Sequence, residues 1–107
     1  MQFQFNSDNQ TDVGAEVAAR VEEIARARLA RLADRLTRVE VHLGEADGAH
    51  ASGDEKRCTI EARPAGMDPV SASHHSADIE AAVTGAADKL LSVLDRQIGK
   101  QTTRKGH

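Results

Sequence analysis

Residues 37–43 read TRVEVHL and alternate between polar and apolar side chains. Successive side chains of an extended chain point to opposite faces, so Val39, Val41 and Leu43 share one side. The stretch therefore predicts a β-strand with one buried face and one open face. It directly follows a longer segment of helical spacing, and we expect this succession of helix and strand to organise the fold.

The segment before this strand has the apolar spacing of an amphipathic helix. Its large aliphatic side chains recur at helical spacing, and it is rich in alanine and contains no proline. One helix is predicted over residues 13–35, with Asp12 as its N-cap. At the start of the chain, Phe3 and Phe5 alternate with glutamines, which predicts a short strand over residues 1–6.

Two further strands are predicted after TRVEVHL. Residues 44–56 are rich in glycine, alanine and acidic residues, and we expect them to form a flexible acidic loop. The third strand is predicted over residues 57–63, and the fourth begins near Val70 after a turn at residues 64–66. The side chains of these strands that are expected to face the core are Cys58, Ile60, Ala62, Val70, Ala72 and His74.

A second amphipathic helix is predicted at the end of the chain. Ser76 is a suitable N-cap, and an apolar stripe of helical spacing extends from Ile79 to Ile98. Gly99 is a plausible helix end. Residues 101–107 are expected to be a disordered tail.

These elements predict one α+β domain over residues 1–107 in the order β-α-β-β-β-α. The first two strands flank a helix and should be parallel with a right-handed crossover, whereas the later strands should form hairpins. Each strand has one apolar face, so both helices should cover the same side of a four-stranded mixed sheet. Each helix runs back against the strand before it, which makes the two helices parallel to each other.

Composition restricts the function classes. The chain has two Phe, no Tyr and no Trp, which argues against binding of single-stranded nucleic acid by base stacking. A lone cysteine, Cys58, excludes a disulfide framework and a thiolate cluster and fits a reducing compartment. The N-terminus has no signal pattern, and no apolar run approaches the ~20 residues that span a bilayer. We expect a cytoplasmic protein that does not bind membranes.

Basic residues are concentrated although the chain is acidic overall, with a formal net charge of −3. Ten of the fourteen lysines and arginines lie in residues 26–38 and 89–105, in or after the C-terminal halves of the two helices. Parallel helices would bring both groups to the same end of the domain. The resulting patch is expected to contain Arg26, Arg28, Arg31, Arg35, Lys89, Arg96 and Lys100, opposed chiefly by Asp34, Asp88 and Asp95.

Phosphate backbone is the expected partner of this patch, because guanidinium groups match phosphate oxygens without reading sequence. At about 100° per residue, one flank of the first helix borders the groove between the helices. The arginines on that flank are Arg20, Arg28, Arg31 and Arg35.

The alternative is that the cations only stabilise their helices through the helix dipole.

No catalytic or metal-binding arrangement is predicted. His74 and His75 are adjacent on a strand, so they point to opposite faces and are poorly placed to share a metal. Cys58 is expected to be a small buried core residue rather than a nucleophile. The sequence has no HExxH, no CxxC and no phosphate-binding loop. We predict neither enzymatic activity nor a cofactor nor a small-molecule substrate.

Two stretches resemble a known family. TRVEVHL after RLADRL (residues 31–36), together with DIEAAVTGAADKLLSVLDRQIGK (residues 78–100), resembles the ribosome hibernation-promoting factor and ribosome-associated inhibitor family, also called the sigma-54 modulation protein family. The resemblance covers nearly the whole chain in the same order of elements. It implies a fold similar to a double-stranded RNA-binding domain.

The resemblance also implies a function. Members of this family bind the small ribosomal subunit near the tRNA and mRNA channel through basic residues on both helices, and they block translation in stationary or stressed cells. The rRNA-binding residues that the resemblance implies are Arg28, Arg31, Arg35, Lys89 and Arg96, to which Lys100 is added on charge alone.

A protein-interaction module is the alternative function. The open face of the predicted sheet mixes charges of both signs, which suits a protein partner or solvent better than RNA. An exposed edge strand could also pair with another protein or with a second copy of the chain. The residues of the open face are Arg38, Glu40, His42, Arg57, Thr59, Glu61 and Arg63.

Overall fold

The order of elements along the chain is the predicted one. The computed structural model describes residues 1–8, 13–45 and 55–105. A short 3₁₀-helix, which the sequence pattern did not predict, joins the first helix to the second strand. The elements are β1 (Gln2–Ser7), α1 (Ala15–Arg28), the 3₁₀-helix (Ala30–Arg35), β2 (Leu36–Glu45), β3 (Lys56–Pro64), β4 (Val70–Ser76) and α2 (Ile79–Lys105).

The strands form a mixed sheet in the order β1-β2-β3-β4. β1 is parallel to β2, and the other neighbours are antiparallel, which confirms the predicted α+β topology. The register aligns Phe5 with Val41, Val41 with Ile60 and Ile60 with Ala72. An apolar row therefore crosses the whole sheet on the face that the helices cover.

The core lies between this face and the two helices. Val39, Val41 and Ile60 of the sheet are fully buried, as the alternation in TRVEVHL predicts. Phe3 and Phe5 are partly buried and pack against the same cluster. Both helices contribute to it, which confirms that they cover one side of the sheet. Their buried residues are Val21, Ile24, Ala25, Ala82, Val83, Ala86, Ala87, Leu90 and Leu94.

The first helix is shorter than predicted. α1 ends at Arg28, and Leu29 leaves the helical conformation with φ −98° and ψ 5° while its N–H still donates to Ala25 O. Three residues per turn place Leu29 and Leu32 on one side of the 3₁₀-helix, and both are buried there. The prediction of one helix over residues 13–35 is therefore wrong in its last two turns, where burial of both leucines favours the tighter helix.

The second helix is longer than predicted. α2 continues through Gly99 to Lys105, so the predicted helix end at Gly99 is wrong. Gly99 is exposed, and an interior glycine costs a helix only about 1 kcal/mol relative to alanine. Residues 101–105 of the predicted tail therefore continue α2, and the last two residues lie outside the described part of the chain.

Two other predictions concern residues that are only partly described. Of the predicted acidic loop over residues 44–56, Gly44 and Glu45 belong to β2 and Lys56 opens β3, whereas residues 46–54 lie outside the described part. The predicted cap Asp12 also lies outside it. In the structure the residue that precedes α1 is Gly14, which makes no side-chain cap.

Candidate nucleic-acid interface

Three ion pairs join α1 and its 3₁₀ extension to α2. Arg20 Nε lies 3.2 Å from Glu80 Oε1, and Arg28 Nη1 lies 3.7 Å from Asp88 Oδ1. Arg31 Nη2 lies 2.9 Å from Asp95 Oδ2. The residue numbers of the arginines and of their acidic partners increase in the same direction, so the two helices are parallel, as predicted. We call this line of six residues the interhelical seam.

The seam confirms the predicted placement of three of the four arginines on one flank of the first helix. Arg20, Arg28, Arg31 and Arg35 were expected to border the groove between the helices. The first three contact α2 there, whereas Arg35 lies exposed at the end of the 3₁₀-helix. The same pairs place the C-terminal halves of both helices at one end of the domain. The two basic groups of the sequence therefore lie towards the same end of the domain.

The tightest contact of the seam joins Arg31 and Asp95. Two guanidinium nitrogens of Arg31 donate to the two carboxylate oxygens of Asp95 at 3.1 and 2.9 Å. The hydrogen bond from Arg31 lowers the pKa of the Asp95 carboxyl, and the same bond raises the pKa of Arg31. The side chains are 59% and 47% exposed, so solvent and ligands can reach the pair.

The cations of α2 lie on its other flank. Lys89 follows Asp88 directly, but its Nζ donates to Ser73 O of the edge strand β4 at 3.3 Å, whereas Asp88 faces α1. Neighbouring helix residues differ by about 100° in direction, which explains the opposite orientations. Arg96 and Lys100 lie two and three turns beyond Lys89 on the same side. We call these three residues the outer flank.

The structure therefore divides the patch that the sequence predicted. α2 itself separates Arg28 and Arg31 in the seam from the outer flank. Arg26 belongs to neither, because it bonds to Glu22 at 2.7 Å and lies over the Phe3 ring at 5.4 Å from its centroid. The expectation of one continuous patch that includes Arg26 is wrong, since the rotation of each helix about its axis is set by its packing.

The predicted site residues differ in their ionic partners. Arg28 and Arg31 are paired with aspartates, and Arg35 is exposed at the end of the 3₁₀-helix. Within the parts of the chain that the structure describes, no acidic residue pairs with Arg35 or with the three cations of the outer flank. Their positive charges are therefore the ones that are available to an external anion.

A family model agrees with this fold. The model described as Sigma 54 modulation protein / S30EA ribosomal protein matches residues 8–104. The chain belongs to this family. It is a family of ribosome-associated modulation proteins and not a family of enzymes. No curated protein sequence matches the chain significantly.

Two solved structures share this fold. The N-terminal domain of Thermus thermophilus Protein Y is 24% identical, with a TM-score of 0.66 over 90% of this chain and 98% of that one. A ribosomal subunit interface protein from Coxiella burnetii is 16% identical, with a TM-score of 0.70 over 92% of this chain and 99% of that one.

The sequence reading of this family member missed the pairing in the seam. Asp88 and Asp95 were expected to oppose the basic patch as a group, and the contact between Arg20 and Glu80 was not predicted. A signal was present, because each arginine precedes its acid by 60 to 64 residues. A near-constant offset of this kind is typical of side chains that face each other across parallel helices.

His74, His75 and Cys58 have different contacts, on the two faces of the sheet and in the core. His75 Nδ1 lies 2.9 Å from Glu55 Oε2 on the open face, whereas His74 points towards α2. Cys58 is fully buried, as predicted, and burial raises the pKa of its thiol to about 12. Among the described residues, no group of three or more metal-ligating side chains comes together.

The open sheet face carries an internally paired polar network. Glu40 accepts a hydrogen bond from Asn6 Nδ2 at 2.9 Å, and His42 Nε2 lies 3.3 Å from the same carboxylate. Arg38 lies 3.5 Å from Glu40 and also donates to Gln4. These contacts balance charge within the face.

None of the described helices is long and apolar enough to cross a membrane.

Proposed function

We propose that this chain is a ribosome-associated hibernation factor that contacts rRNA of the small subunit and silences translation without catalysis. Family membership supports the ribosome as partner. One of the similar structures is that of a ribosomal subunit interface protein. The cytoplasm, where ribosomes work, is the proposed place of action.

The observation that supports the RNA contact is the set of cations that pair with no acid among the described residues. Lys89, Arg96 and Lys100 align along the outer flank, and Arg35 lies exposed at the end of the 3₁₀-helix. Lysine and arginine bind phosphate by charge and do not need the identity of the base. Such a surface suits folded rRNA, which offers a dense and fixed array of phosphates.

Arg28 and Arg31 belong to the proposed site in a different way. Both are exposed but are already paired with carboxylates of α2. They can contact rRNA only together with those carboxylates or after exchanging them for phosphate. The proposed site therefore has four cations that attract RNA from a distance and two that depend on local rearrangement.

Silencing would follow from occupancy and not from chemistry. A rigid domain bound between rRNA segments excludes other ligands from the same surface. The proposal requires no cofactor, because positioning and charge supply the whole effect. An in vitro translation assay tests this step, and addition of the protein should reduce product formation in proportion to ribosome occupancy.

The binding test is co-sedimentation with separated ribosomal subunits at low and raised salt. The wild-type protein should sediment with the small subunit and be released as salt increases. A K89E/R96E variant should lose most of the binding. Binding that persists unchanged in this variant would exclude the outer flank as the contact surface.

The matched control reverses two cations on the open sheet face. Arg57 and Arg63 are exposed, so an R57E/R63E variant changes the net charge by the same amount as K89E/R96E. It should still bind the small subunit. Loss of binding in this variant alone would favour the alternative function, in which the open sheet face is the interaction surface.

A further inference from the structure

The pair of Arg31 and Asp95 resembles the contact that Arg31 would make with phosphate. Two nitrogens of one guanidinium donate to two oxygens of one anion, at 3.1 and 2.9 Å. Arginine uses the same planar fork to bind a phosphate group. Asp95 therefore occupies one fork of the guanidinium, two of its five N–H donors, and neutralises the charge that would attract a phosphate.

The charge of the pair has a second effect. A guanidinium that is neutralised by a carboxylate attracts RNA weakly and displaces few counterions from it, because the pair carries no net charge. The neighbouring pair of Arg28 and Asp88 is looser, with 3.7 Å between Arg28 Nη1 and Asp88 Oδ1. The strongest internal competition within the seam is therefore at Asp95.

We propose that Asp95 is an affinity-determining residue that acts as an internal competitor for phosphate at Arg31. It holds the guanidinium in a closed pair, and RNA gains the full charge and the paired donors of Arg31 when a phosphate displaces the carboxylate. This inference rests on the proposed RNA-binding function and adds to it a residue of opposite charge that limits it. Removal of the Asp95 carboxylate should therefore strengthen RNA binding. If Asp95 served only to link the two helices, its removal would give no gain in RNA affinity.

The test compares D95N with D34N. Asp34 is exposed in the 3₁₀-helix at the same end of the domain and pairs with no described basic residue. D34N therefore changes the net charge as D95N does but frees no guanidinium. Dissociation constants are measured for isolated small subunits and for a generic RNA duplex, at four or more salt concentrations.

D95N should bind both ligands about two- to fivefold more tightly at low salt, a size expected for release of an exposed ion pair. The slope of log K against log salt should steepen by about 0.7 to 0.9, since one further phosphate contact releases one further set of counterions. D34N should keep the wild-type slope. In D95N/R31A, both the gain in affinity and the change in slope should disappear.

The outcomes separate the two proposals. Equal affinity and equal slope for D95N and D34N would overturn the role of Asp95, and so would a gain that persists in D95N/R31A. If D95N tightens binding to the duplex while no variant binds the small subunit, the competitor role stands and the ribosomal function fails. If the wild type binds the subunit and D95N gains nothing, the function stands and the competitor role fails.

Discussion

The imidazole ring of His74 fills the space that a side chain at position 85 would need, and the residue at that position is Gly85. A Cβ built on Gly85 would be 2.5 Å from His74 Cγ and 2.7 Å from its Nε2. Real Cβ atoms do not approach other atoms so closely, so Gly85 allows α2 to pack directly on the His74 ring of β4. This contact explains why a helix-disfavouring residue lies in the middle of α2.

We predict that Gly85→Ala and Gly99→Ala change stability in opposite directions. Alanine gains up to about 1 kcal/mol over glycine inside a helix, but at Gly85 overpacking costs about 1–3 kcal/mol and outweighs the gain. At Gly99 nothing lies within 4 Å of the new methyl group. Urea denaturation followed by circular dichroism should show a lower free energy of unfolding for G85A and a higher one for G99A.

The same contact gives the control for this prediction. Truncation of the ring in His74→Ala should remove the clash, so G85A should cost less in that background than in the wild type. A double-mutant cycle measures this coupling. Identical costs of G85A in both backgrounds would show that His74 is not the obstacle.

We predict that Leu29→Ala destabilises the fold by about 2–5 kcal/mol. Leu29 is fully buried at the junction between α1 and the 3₁₀-helix, and truncation leaves a cavity under both elements. Leu29→Met keeps most of the volume and should cost less than about 1.5 kcal/mol. Thermal unfolding of the two variants measures the difference, and equal losses would contradict a packing role.

We predict that Cys58 resists alkylation in the folded protein. The thiol is fully buried, and burial raises its pKa to about 12, so the reactive thiolate is scarce at neutral pH. Iodoacetamide at pH 8 should react at least about a hundredfold more slowly with native than with urea-unfolded protein. Mass spectrometry of timed samples gives both rates. Rapid labelling of the native protein would contradict the burial.

The same thiol should make stability depend on pH in the alkaline range. Burial raises the pKa of Cys58 from 9.0 to about 12 in the folded state. The stabilisation is therefore complete below about pH 9 and is lost as pH rises towards 12, because only the unfolded chain releases the proton. The loss should not exceed about 1.4 kcal/mol per pH unit. Comparison with Cys58→Ala isolates it from the titration of lysines, since that variant lacks this component.

We predict that Arg35→Ala weakens binding to the small subunit without changing the unfolding temperature. Arg35 is exposed, and its side chain pairs with no described acid. Arg26→Ala is the matched control, because Arg26 is also exposed but contacts Glu22 and Phe3 away from the proposed surface. It should keep the affinity and lose about 0.3–0.5 kcal/mol of stability. Equal affinities for the two variants would remove Arg35 from the site.

The alternation in TRVEVHL was enough to predict a strand and its buried face, and the helix between the first two strands predicted that they run parallel. The end of α1 was not predictable in the same way, because Leu29 and Leu32 are three residues apart and fit an α-helix and a 3₁₀-helix equally well. Burial of both leucines decides between the two helices, and burial depends on the sheet below. The continuation of α2 past Gly99 has a similar cause, since a glycine lowers helix propensity without ending a helix.

The sequence predicted where along the helices the candidate site lies. It did not predict on which side of α2 each charged residue lies. Parallel helices follow from the order of strands, so the cations of both were correctly expected at one end of the domain. Asp88 and Lys89 are neighbours in sequence, yet one faces α1 and the other faces β4. Which residue faces which neighbour depends on the rotation of α2, and the packing of Val83, Leu90 and Leu94 on the sheet sets that rotation.

The three pairs of the seam also define how α2 is aligned along α1. A shift of α2 by one helical turn, about four residues, would remove every acid from its arginine. A shift in one direction would bring Thr84 opposite Arg20, Ser92 opposite Arg28 and Gly99 opposite Arg31. A shift in the other direction would bring Thr84 opposite Arg28 and Leu91 opposite Arg31. Exposed pairs add little stability, but here they distinguish one alignment from its neighbours. The three acids of α2 thus select one alignment of α2 along α1, because only in that alignment does each acid lie opposite an arginine.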